Sequence, residues 1–555
     1  MSRSVQPRRF RGYAPVVGLL LAGLVLRLAG AAAHWQRFDE QHPSVWQHSK
    51  LELSQDANQY IQQADPGTWA SSLHRSWAER AYYRPPLASY YFVGLFRAVH
   101  FDRMMAAGFQ ALLAALAYLF LFFSVERVFG RTVGLVTLAV LAVHPVLMFY
   151  DVAFEDSTLA FVLLSATLFL VLWARQGRLV RWLLPGSAAG LMLLARPSLF
   201  VVVAGIAILL VGWIAKGRKK ALVALLVPLA YVVAPVIWHN RAVSGRWVAI
   251  ADSAGENLFW GNNPFPDYRL GIQGYWNIRL VDRGSPGDLL VRGLRTRTGK
   301  TSPNEAFMAA TMSFVRAHPW QAFVGVLEKA WRHMSSYEIP RNTNFETLRA
   351  SVLVWRIPFV PFSVLLVLAL VGVRGLDRRL AWLLLLPWLA AVFAEAVFFN
   401  ASRYRALCVP FLVPFAVRAL GLGYAAAREG RWRGPALGVA AAGLALVAGT
   451  FAVSPTERLR HRAVDHFKDA MLESCADEDG GWQRFSEERF LRPLEAARRL
   501  DPDNLDAFAV EQKYLITQGK LDQAVAAADL RETRCRPGEW LCHEVCGYLR
   551  RMAGR

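Results

Sequence analysis

Positive charge recurs along this chain with a fixed rhythm. Groups of Lys and Arg stand at every second junction between about eleven apolar stretches, and this alternation limits the fold more than any other feature. The stretches lie near 14–33, 104–124, 132–150, 157–174, 180–195, 198–215, 221–238, 352–373, 380–399, 404–425 and 434–453. Most are about 16–22 residues long, enough to cross a hydrocarbon core as a helix. The basic groups are Arg8/Arg9/Arg11, Arg127/Arg131, Arg175/Arg178/Arg181, Arg218/Lys219/Lys220, Arg374/Arg378/Arg379 and Arg428/Arg431/Arg433. The short connections between them are poor in charge or acidic. Basic loops stay in the cytoplasm, so the N-terminus is expected inside, and an odd number of spans puts the C-terminus outside. The expected fold is mostly α, a polytopic membrane protein of about 11 spans over residues 1–453. External loops are expected at about 34–103 and 239–350, with a small helical C-terminal domain at 454–555.

Composition agrees: 54% of the 555 residues are hydrophobic and 12% aromatic, as in a membrane chain with soluble parts attached. The net charge of +21 is the kind that nucleic-acid binders carry. Here it sits largely in short cytoplasmic loops, where topology and anionic lipid headgroups account for it, so membrane lipids and not nucleic acid are the expected partner. The first stretch has a basic prelude and ends in Ala31-Ala32-Ala33, but its length and the spans after it favour a retained signal-anchor over a cleaved signal peptide. Four of the five cysteines, Cys475, Cys535, Cys542 and Cys546, fall in the tail. Outside the membrane they read as about two disulfides. The C-x6-C-x3-C spacing is unlike a zinc site even with His543 beside it. Cys408 reads as packing within a span.

Within the first external loop, Leu51 to Ala64 reads as an amphipathic helix with Ser54 as N-cap, stopped at Asp65-Pro66-Gly67. Pro85-Pro86 start another, Leu87 to His100, which is short for a span and is expected to lie along the interface. The second external stretch opens with loop signals and stays Gly-rich to about 300, then turns helical from Asn304 to Ser336. In the tail, Phe490–Leu530 reads as helix, an Asp501-Pro502-Asp503-Asn504 turn, and two more helical segments around Gly519. This resembles one to one-and-a-half tetratricopeptide repeats, too few to stand alone. It suits a packed cap, or alternatively a surface for a protein partner.

Ionisable groups at the ends of spans are expensive and tend to be functional. The expected outer face gathers Asp56, Arg84, Asp151, Glu155, Asp156, Arg196, Arg241, Glu256, Arg403 and Arg405. Arg binds phosphate bidentately, and a carboxylate can take a proton from an attacking hydroxyl. Together they suit a reaction of an anionic, lipid-linked donor. No G-x-x-x-x-G-K-[ST] is present to suggest a nucleotide-driven pump.

Five pieces then stand in order: Asp56-Ala57-Asn58-Gln59-Tyr60 through Ala64; Tyr83-Arg84-Pro85-Pro86-Leu87; Glu155-Asp156 opening a span; Ala195-Arg196-Pro197; and Gly255-Glu256-Asn257-Leu258 with Gly261-Asn262-Asn263-Pro264. A last one, Asn400-Ala401-Ser402-Arg403-Tyr404-Arg405, leads to Pro410 and Pro414. Over about 14–425 the chain resembles the GT-C glycosyltransferases, in the bacterial branch related to protein O-mannosyltransferases and lipid A aminoarabinose transferases. The resemblance implies inverting transfer of a sugar from a polyprenyl phosphate to an acceptor hydroxyl on protein, lipid A or glycan, outside a bacterial inner membrane. It casts Asp56 as base, with Tyr60 one helical turn away to orient it, and Asp156 as the second catalytic carboxylate. Arg84, Arg403, Arg405 and Arg196 would hold the donor phosphate. Glu155, Glu256 and Tyr83 would line the substrate, although Tyr82 and Tyr83 also fit an aromatic belt. No cofactor is required by the pattern; whether Asp56 and Asp156 share a divalent metal stays open. Asp39-Glu40 lacks the following Tyr and Ala and is read as non-functional. The competing reading is a polyprenyl-lipid transporter or an envelope assembly scaffold.

Overall fold

The computed structural model describes residues 13–41, 81–100, 102–175, 177–214, 219–264, 285–341, 344–472, 474–476, 482–484, 487–536 and 539–554. Asp56, Tyr60 and the expected Leu51–Ala64 helix lie outside the described residues. In chain order the helices are α1 (Ala14–Gln41), α2 (Pro86–Ala98), α3 (Arg103–Phe129), α4 (Arg131–Ala142), α5 (Pro145–Val152), α6 (Ser157–Ala174), α7 (Leu183–Ala195), α8 (Phe200–Ile214) and α9 (Lys219–Ser244). There follow α10 (Ala254–Gly261), α11 (Pro286–Thr298), α12 (Pro303–Ala317), α13 (Pro319–His333), α14 (Phe345–Arg349), α15 (Phe362–Gly372), α16 (Arg378–Val397), α17 (Ser402–Arg428) and α18 (Arg433–Phe451). The tail holds α19 (Pro455–Leu472), a two-stranded antiparallel hairpin β1 (Ser474–Ala476) and β2 (Trp482–Arg484), α20 (Glu487–Leu500), α21 (Leu505–Thr517), α22 (Leu521–Glu532) and α23 (Trp540–Met552).

The chain is a multi-pass helical membrane protein. Among the described residues, seven helices are long and apolar enough to cross a bilayer: α1, α3, α6, α9, α16, α17 and α18. The remaining apolar stretches are helical but interrupted. The stretch expected to be continuous over 132–150 is instead α4 and α5, bent by 69°. His144 precedes Pro145, and a residue before proline is driven out of the helical region; His144 has ψ 110°. The stretch 352–373 divides into a short 3-10 turn, Leu353–Arg356, and the eleven residues of α15, because Pro358 and Pro361 interrupt the helix between them. Leu179–Ala195 and Pro197–Val211 are short apolar helical segments parted at Arg196-Pro197. Within 239–350, the expected single helix from Asn304 divides at Pro319 into α12 and α13, and the stretch expected to be loop contains α10 and α11. The outward face of α13 carries exposed Trp320, Phe323, Leu327 and Trp331, as an interfacial helix does. Asp39 pairs with Arg103 at 2.9 Å, a contact between α1 and α3.

Close packing of α7 on α9 uses a Gly186-x3-Gly190 face. A Cβ on Gly186 would stand 2.2 Å from the Leu225 carbonyl oxygen, and one on Gly190 2.8 Å from the Val232 Cβ. Small residues at this spacing let helix backbones approach in a membrane.

Several interruptions leave carbonyls without a helical partner, and cations fill the gap. Arg27, the one charge in 14–33, donates to the carbonyls of Leu141 (3.3 Å) and Ala142 (3.2 Å) at the end of α4. It also pairs with Asp151 at 2.8 Å and reaches the Tyr118 hydroxyl at 3.0 Å. Arg418 donates to Gly372 and Arg374 carbonyls at the end of α15, both at 2.6 Å. Lys329 ties two helix ends together. Its Nζ donates to Gly261 O (3.1 Å) and Asn262 Oδ1 (2.9 Å) at the end of α10, and to Val397 O (3.4 Å) and Phe398 O (3.1 Å) at the end of α16. Gly261 allows this approach, since a Cβ there would lie 1.3 Å from Phe398 O.

In the tail, helix, turn and two helices around Gly519 form where the sequence places them. The tail is packed onto the 285–341 stretch: Leu290 and Leu294 of α11 share a core with Leu541, Val545 and Leu549. Trp540 covers Gly293 and lies 4.5 Å from the Arg297 guanidinium. One disulfide, Cys535–Cys542, forms among the described side chains. The expectation of about two is corrected for Cys546, which stays a buried thiol. Cys542 and Cys546 are one turn apart on the core face of α23, and Cys535 reaches the nearer turn. Burial pushes the Cys546 thiol up to about 11.

Two outcomes are expected. Lys329→Met orphans buried carbonyls, at about 1–3 kcal/mol for each one left unsatisfied. The detergent-solubilised protein should melt at least roughly 5 °C lower, whereas Lys300→Met, at an exposed position, should melt like wild type. Burial also pushes the Asp506 carboxyl from 3.8 up to about 7. A raised folded pKa means the native tail holds a proton that the unfolded tail releases. Stability contributed at acid pH is therefore lost, by about 1.4 kcal/mol per pH unit, as pH climbs from about 4 through about 7. Labelling of Cys546 by dithiodipyridine should speed up over that range in wild type relative to Asp506→Asn, and a constant ratio would refute this.

Candidate active site

The segment before Pro85 is pinned by its backbone. The Tyr82 amide donates to Asn240 Oδ1 at 2.9 Å, and its carbonyl accepts from the Asp252 amide at 2.6 Å. Pro86 then starts α2 with its fixed φ. So held, the Tyr83 hydroxyl donates to Glu256 Oε2 at 2.5 Å, while Trp260, one turn along α10, donates its indole N–H to Glu256 Oε1 at 3.4 Å. The Gly255-Glu256 motif is the first turn of α10. Its amides donate to Asn304 Oδ1 at 2.7 and 3.3 Å, so a side chain from α12 supplies the missing cap. The Arg84 guanidinium lies 5.5 Å from the Tyr83 ring.

A second group forms where α6 begins and α7 ends. Asp156 is the N-cap residue of α6, and Arg196 is the extended C-cap residue of α7, φ −149°. Arg196 Nη1 donates to Asp156 Oδ1 at 3.2 Å and to Ser157 Oγ at 3.4 Å. Its guanidinium sits 4.9 Å from the Tyr404 ring, and that of Arg403 5.6 Å from the same ring. Glu155, next to Asp156, is 3% exposed.

Arg341 links the two groups. Its guanidinium stacks 5.2 Å from the Trp260 ring and 4.5 Å from Phe399, which meets Tyr404 edge-on at 5.9 Å. A continuous chain of contacts thus runs Tyr83–Glu256–Trp260–Arg341–Phe399–Tyr404–Arg196–Asp156. Residues scattered over more than three hundred positions of sequence are linked in this way. The carboxylates are oriented by donors, and the guanidiniums rest on aromatic faces, a setting in which cations keep their charge while losing water.

Arg405 is elsewhere. It is 2% exposed, donating to the carbonyls of Ser335 (2.5 Å) and Tyr337 (2.7 Å) and to Ser402 Oγ (2.9 Å). It also pairs with Glu338 at 3.0 Å. Its fork is directed into the chain leaving α13, so the structure does not bring it together with the other motif arginines. The Asn262-Asn263 pair is likewise structural: Asn262 Nδ2 donates to Leu258 O (2.8 Å) and Val397 O (2.7 Å), and Asn263 Nδ2 to Phe259 O (2.7 Å).

Arg27, Lys329, Arg341 and Glu395 were not singled out from the sequence. Two of them carried a signal: Arg27 and Glu395 are the only ionisable residues in the stretches 14–33 and 380–399. Glu395 accepts from Asn400 at 2.7 Å and faces His333 at 3.4 Å. Among the described residues, one group of three or more His, Cys, Asp or Glu side chains is close enough to share an ion: Cys535, Cys542 and Cys546, two of them disulfide-bonded.

Comparison with known proteins finds similarity over part of the chain. Residues 83–238 match the family described as dolichyl-phosphate-mannose-protein mannosyltransferase. No curated protein matches. Solved structures that match include the Archaeoglobus fulgidus oligosaccharyltransferase in its apo form, 14% identical with a TM-score of 0.44 over 82% of this chain and 56% of that one. ArnT from Cupriavidus metallidurans bound to undecaprenyl phosphate is 11% identical, TM-score 0.42, over 98% and 76%. AglB from Archaeoglobus fulgidus, in complex with an inhibitory peptide and a dolichol-phosphate, is 13% identical, TM-score 0.39, over 82% and 56%. This chain spans little more than half the length of the oligosaccharyltransferases it matches. Scores this low leave the fold resting on the helices themselves. The similarity to the mannosyltransferase family covers the stretch that holds Tyr83, Arg84, Glu155, Asp156 and Arg196.

Proposed function

We propose that this chain is a membrane glycosyltransferase that moves a sugar from a polyprenyl-phosphate donor to an acceptor hydroxyl on the outer face of a bacterial inner membrane. The observation that carries the reading is the convergence of Tyr83, Glu256, Arg403, Arg196 and Asp156, from five separated pieces of sequence, along one chain of contacts. In this reading Arg84, Arg403 and Arg196 neutralise the phosphate, and Asp56, oriented by Tyr60, accepts the hydroxyl proton. The acceptor oxygen attacks the anomeric carbon as the bond to phosphate breaks. The electron pair leaves with the phosphate, the proton stays on the carboxylate, and the anomeric configuration inverts. Charge developing on the leaving phosphate is met by cations already in place, the largest lever available to such a site. Asp156, held by Arg196, is the alternative base; Glu155, Glu256 and Tyr83 line the sugar or acceptor side. Arg405 positions the loop after α13.

Transfer should be assayed with the purified full chain in detergent and a polyprenyl-phosphate sugar. The acceptor should come from mass spectrometry of envelope proteins, lipids and glycans in a deletion strain. Asp56→Asn should reduce the rate by about 10² or more at unchanged folding, as loss of a general base does. Retention of more than about a tenth of the rate would move the role to Asp156. Arg84→Ala and Arg403→Ala should each weaken donor binding by about 1.5–3 kcal/mol, with Arg84→Lys recovering part. Orientation is a separate expectation: alkaline phosphatase fused after Arg555 should be active, and an inactive fusion would place the tail, and this site, on the cytoplasmic side.

A further inference from the structure

Asp252 and Asn304 belong to none of the sequence motifs, and they stand 52 positions apart. Asp252 lies in the turn ahead of α10, and Asn304 in the first turn of α12. Ser253, the N-cap residue of α10, makes no capping hydrogen bond with its side chain. Asn304 Oδ1 takes that place, accepting from the Gly255 amide at 2.7 Å and from the Glu256 amide at 3.3 Å. Gly255 allows the approach, since a Cβ there would lie 2.2 Å from the Asn304 carbonyl oxygen. The other end of the same side chain is also in use: Nδ2 donates to Asp252 Oδ1 at 2.7 Å. Arg246 holds both Asp252 oxygens, at 3.3 Å through Nη1 and 2.5 Å through Nη2.

The Asp252 amide, in turn, donates to the Tyr82 carbonyl at 2.6 Å. The next residue is Tyr83, whose hydroxyl donates to Glu256 Oε2. Four hydrogen bonds therefore close a ring: Tyr82 to Asp252, Asp252 to Asn304, Asn304 to Glu256, and Glu256 back to Tyr83. Tyr83 and Glu256 are 173 positions apart, and Asp252 with Asn304 sets the segment carrying one against the helix carrying the other. The ring needs an amide at 304, which accepts at one end and donates at the other. An Asp there would cap a helix about as well as Asn does. It would face the Asp252 carboxylate with a second one, however, and have no proton to give it.

Building on the reading above, in which Tyr83 and Glu256 line the sugar or acceptor side, we propose that Asn304, held by Asp252, is a positioning residue for the Tyr83–Glu256 pair. Its part in transfer is to fix that pair and not only to start α10.

Asn304→Asp separates the two roles, because it keeps the cap and breaks the link to Asp252. Its kcat/KM with the polyprenyl-phosphate sugar should fall about ten-fold, while undecaprenyl phosphate, which lacks the sugar, should bind as it does to wild type. The exchanged pair, Asp252→Asn with Asn304→Asp, restores a donor facing an acceptor and should recover most of the rate. In a Tyr83→Phe background Asn304→Asp should cost little more, since both act through one hydrogen bond. A wild-type rate in Asn304→Asp, while Asp56→Asn and Arg84→Ala lose theirs, would overturn the inference and leave the transferase reading standing. Losses that simply multiply in the Tyr83→Phe background would do the same, and wild-type rates in all the variants would overturn both. A second readout does not need transfer. Tyr83 is partly exposed, and its nitration by tetranitromethane can be followed by mass spectrometry with exposed Tyr424 as internal standard. Released from Glu256, Tyr83 should nitrate several-fold faster in Asn304→Asp, as in Glu256→Gln. Should Asn304→Asp not fold, Asn304→Ser, too short to reach Asp252, replaces it. A wild-type nitration rate in the folded variant would refute the proposal.

Discussion

Hydrocarbon offers a broken helix nothing to bond with, and this fold depends on how its breaks are repaired. Helices α4, α10, α13, α15 and α16 all end or bend next to apolar neighbours. At each of these points a cation donates to the freed carbonyls: buried Arg27 at α4, buried Lys329 at α10 and α16, buried Arg405 beyond α13 and half-buried Arg418 at α15. A positive side chain also lies at the negative end of the helix dipole there. An isolated cation in a membrane interior is expensive, and an orphaned carbonyl is expensive too. Placing one against the other removes both penalties. Irregular backbone is tolerated inside a protein's packed interior under that condition.

The candidate site is built from the same breaks. Arg196 occupies the gap between α7 and Pro197, Asp156 the step after the bent pair, Glu256 the start of the short α10, and Arg403 the restart of the chain after Phe398–Ala401. A continuous helix would bond these main-chain groups internally and turn their side chains regularly around its axis. A break lets consecutive residues point in unrelated directions. Arg403 and Arg405 show the helical counterpart. At about 100° per residue, two positions apart places them on opposite faces of α17. One lies on the Tyr404 ring; the other enters the carbonyls of Ser335 and Tyr337.

Much of this was legible in the sequence, and the reasons for the rest are physical. Apolar stretches name helices because hydrocarbon admits little else, and Pro86 and Gly519 mark boundaries that the structure respects. The straightness of a stretch was harder to read: one proline, Pro145 or Pro319, divides what hydropathy shows as continuous. The motif residues Tyr83, Glu256, Asp156 and Arg196 are brought together, but the motifs alone did not distinguish Arg403 from Arg405. That distinction depends on what lies across from each face, and the partners at 335–338 are seventy residues away. Lys329 and Arg341 are invisible for the same reason. An Arg or Lys in a polar stretch looks like a solvated surface group until the elements around it close over it. Arg27 and Glu395 differ, because a lone charge inside an apolar stretch signals itself.

The tail follows a related logic. A soluble domain hinged to a membrane part needs an interface that separates cheaply, and this one does not. Its α23 shares an apolar core with α11, Trp540 fills the space over Gly293, and α19 is held by contacts at 457, 458, 461, 465 and 468. Burying a single large apolar side chain is worth about 1.5–3 kcal/mol, so lifting the tail would expose several such contributions and strip Arg332 of its buried carboxylate partner. Motion at the site is therefore expected from elements other than this one. These contacts join the tail to the 285–341 stretch and set the Lys468 ammonium beside the Arg341 carbonyl. Fixed placement is what charge stabilisation requires, because a cation that must first be moved into position uses part of its binding energy to get there.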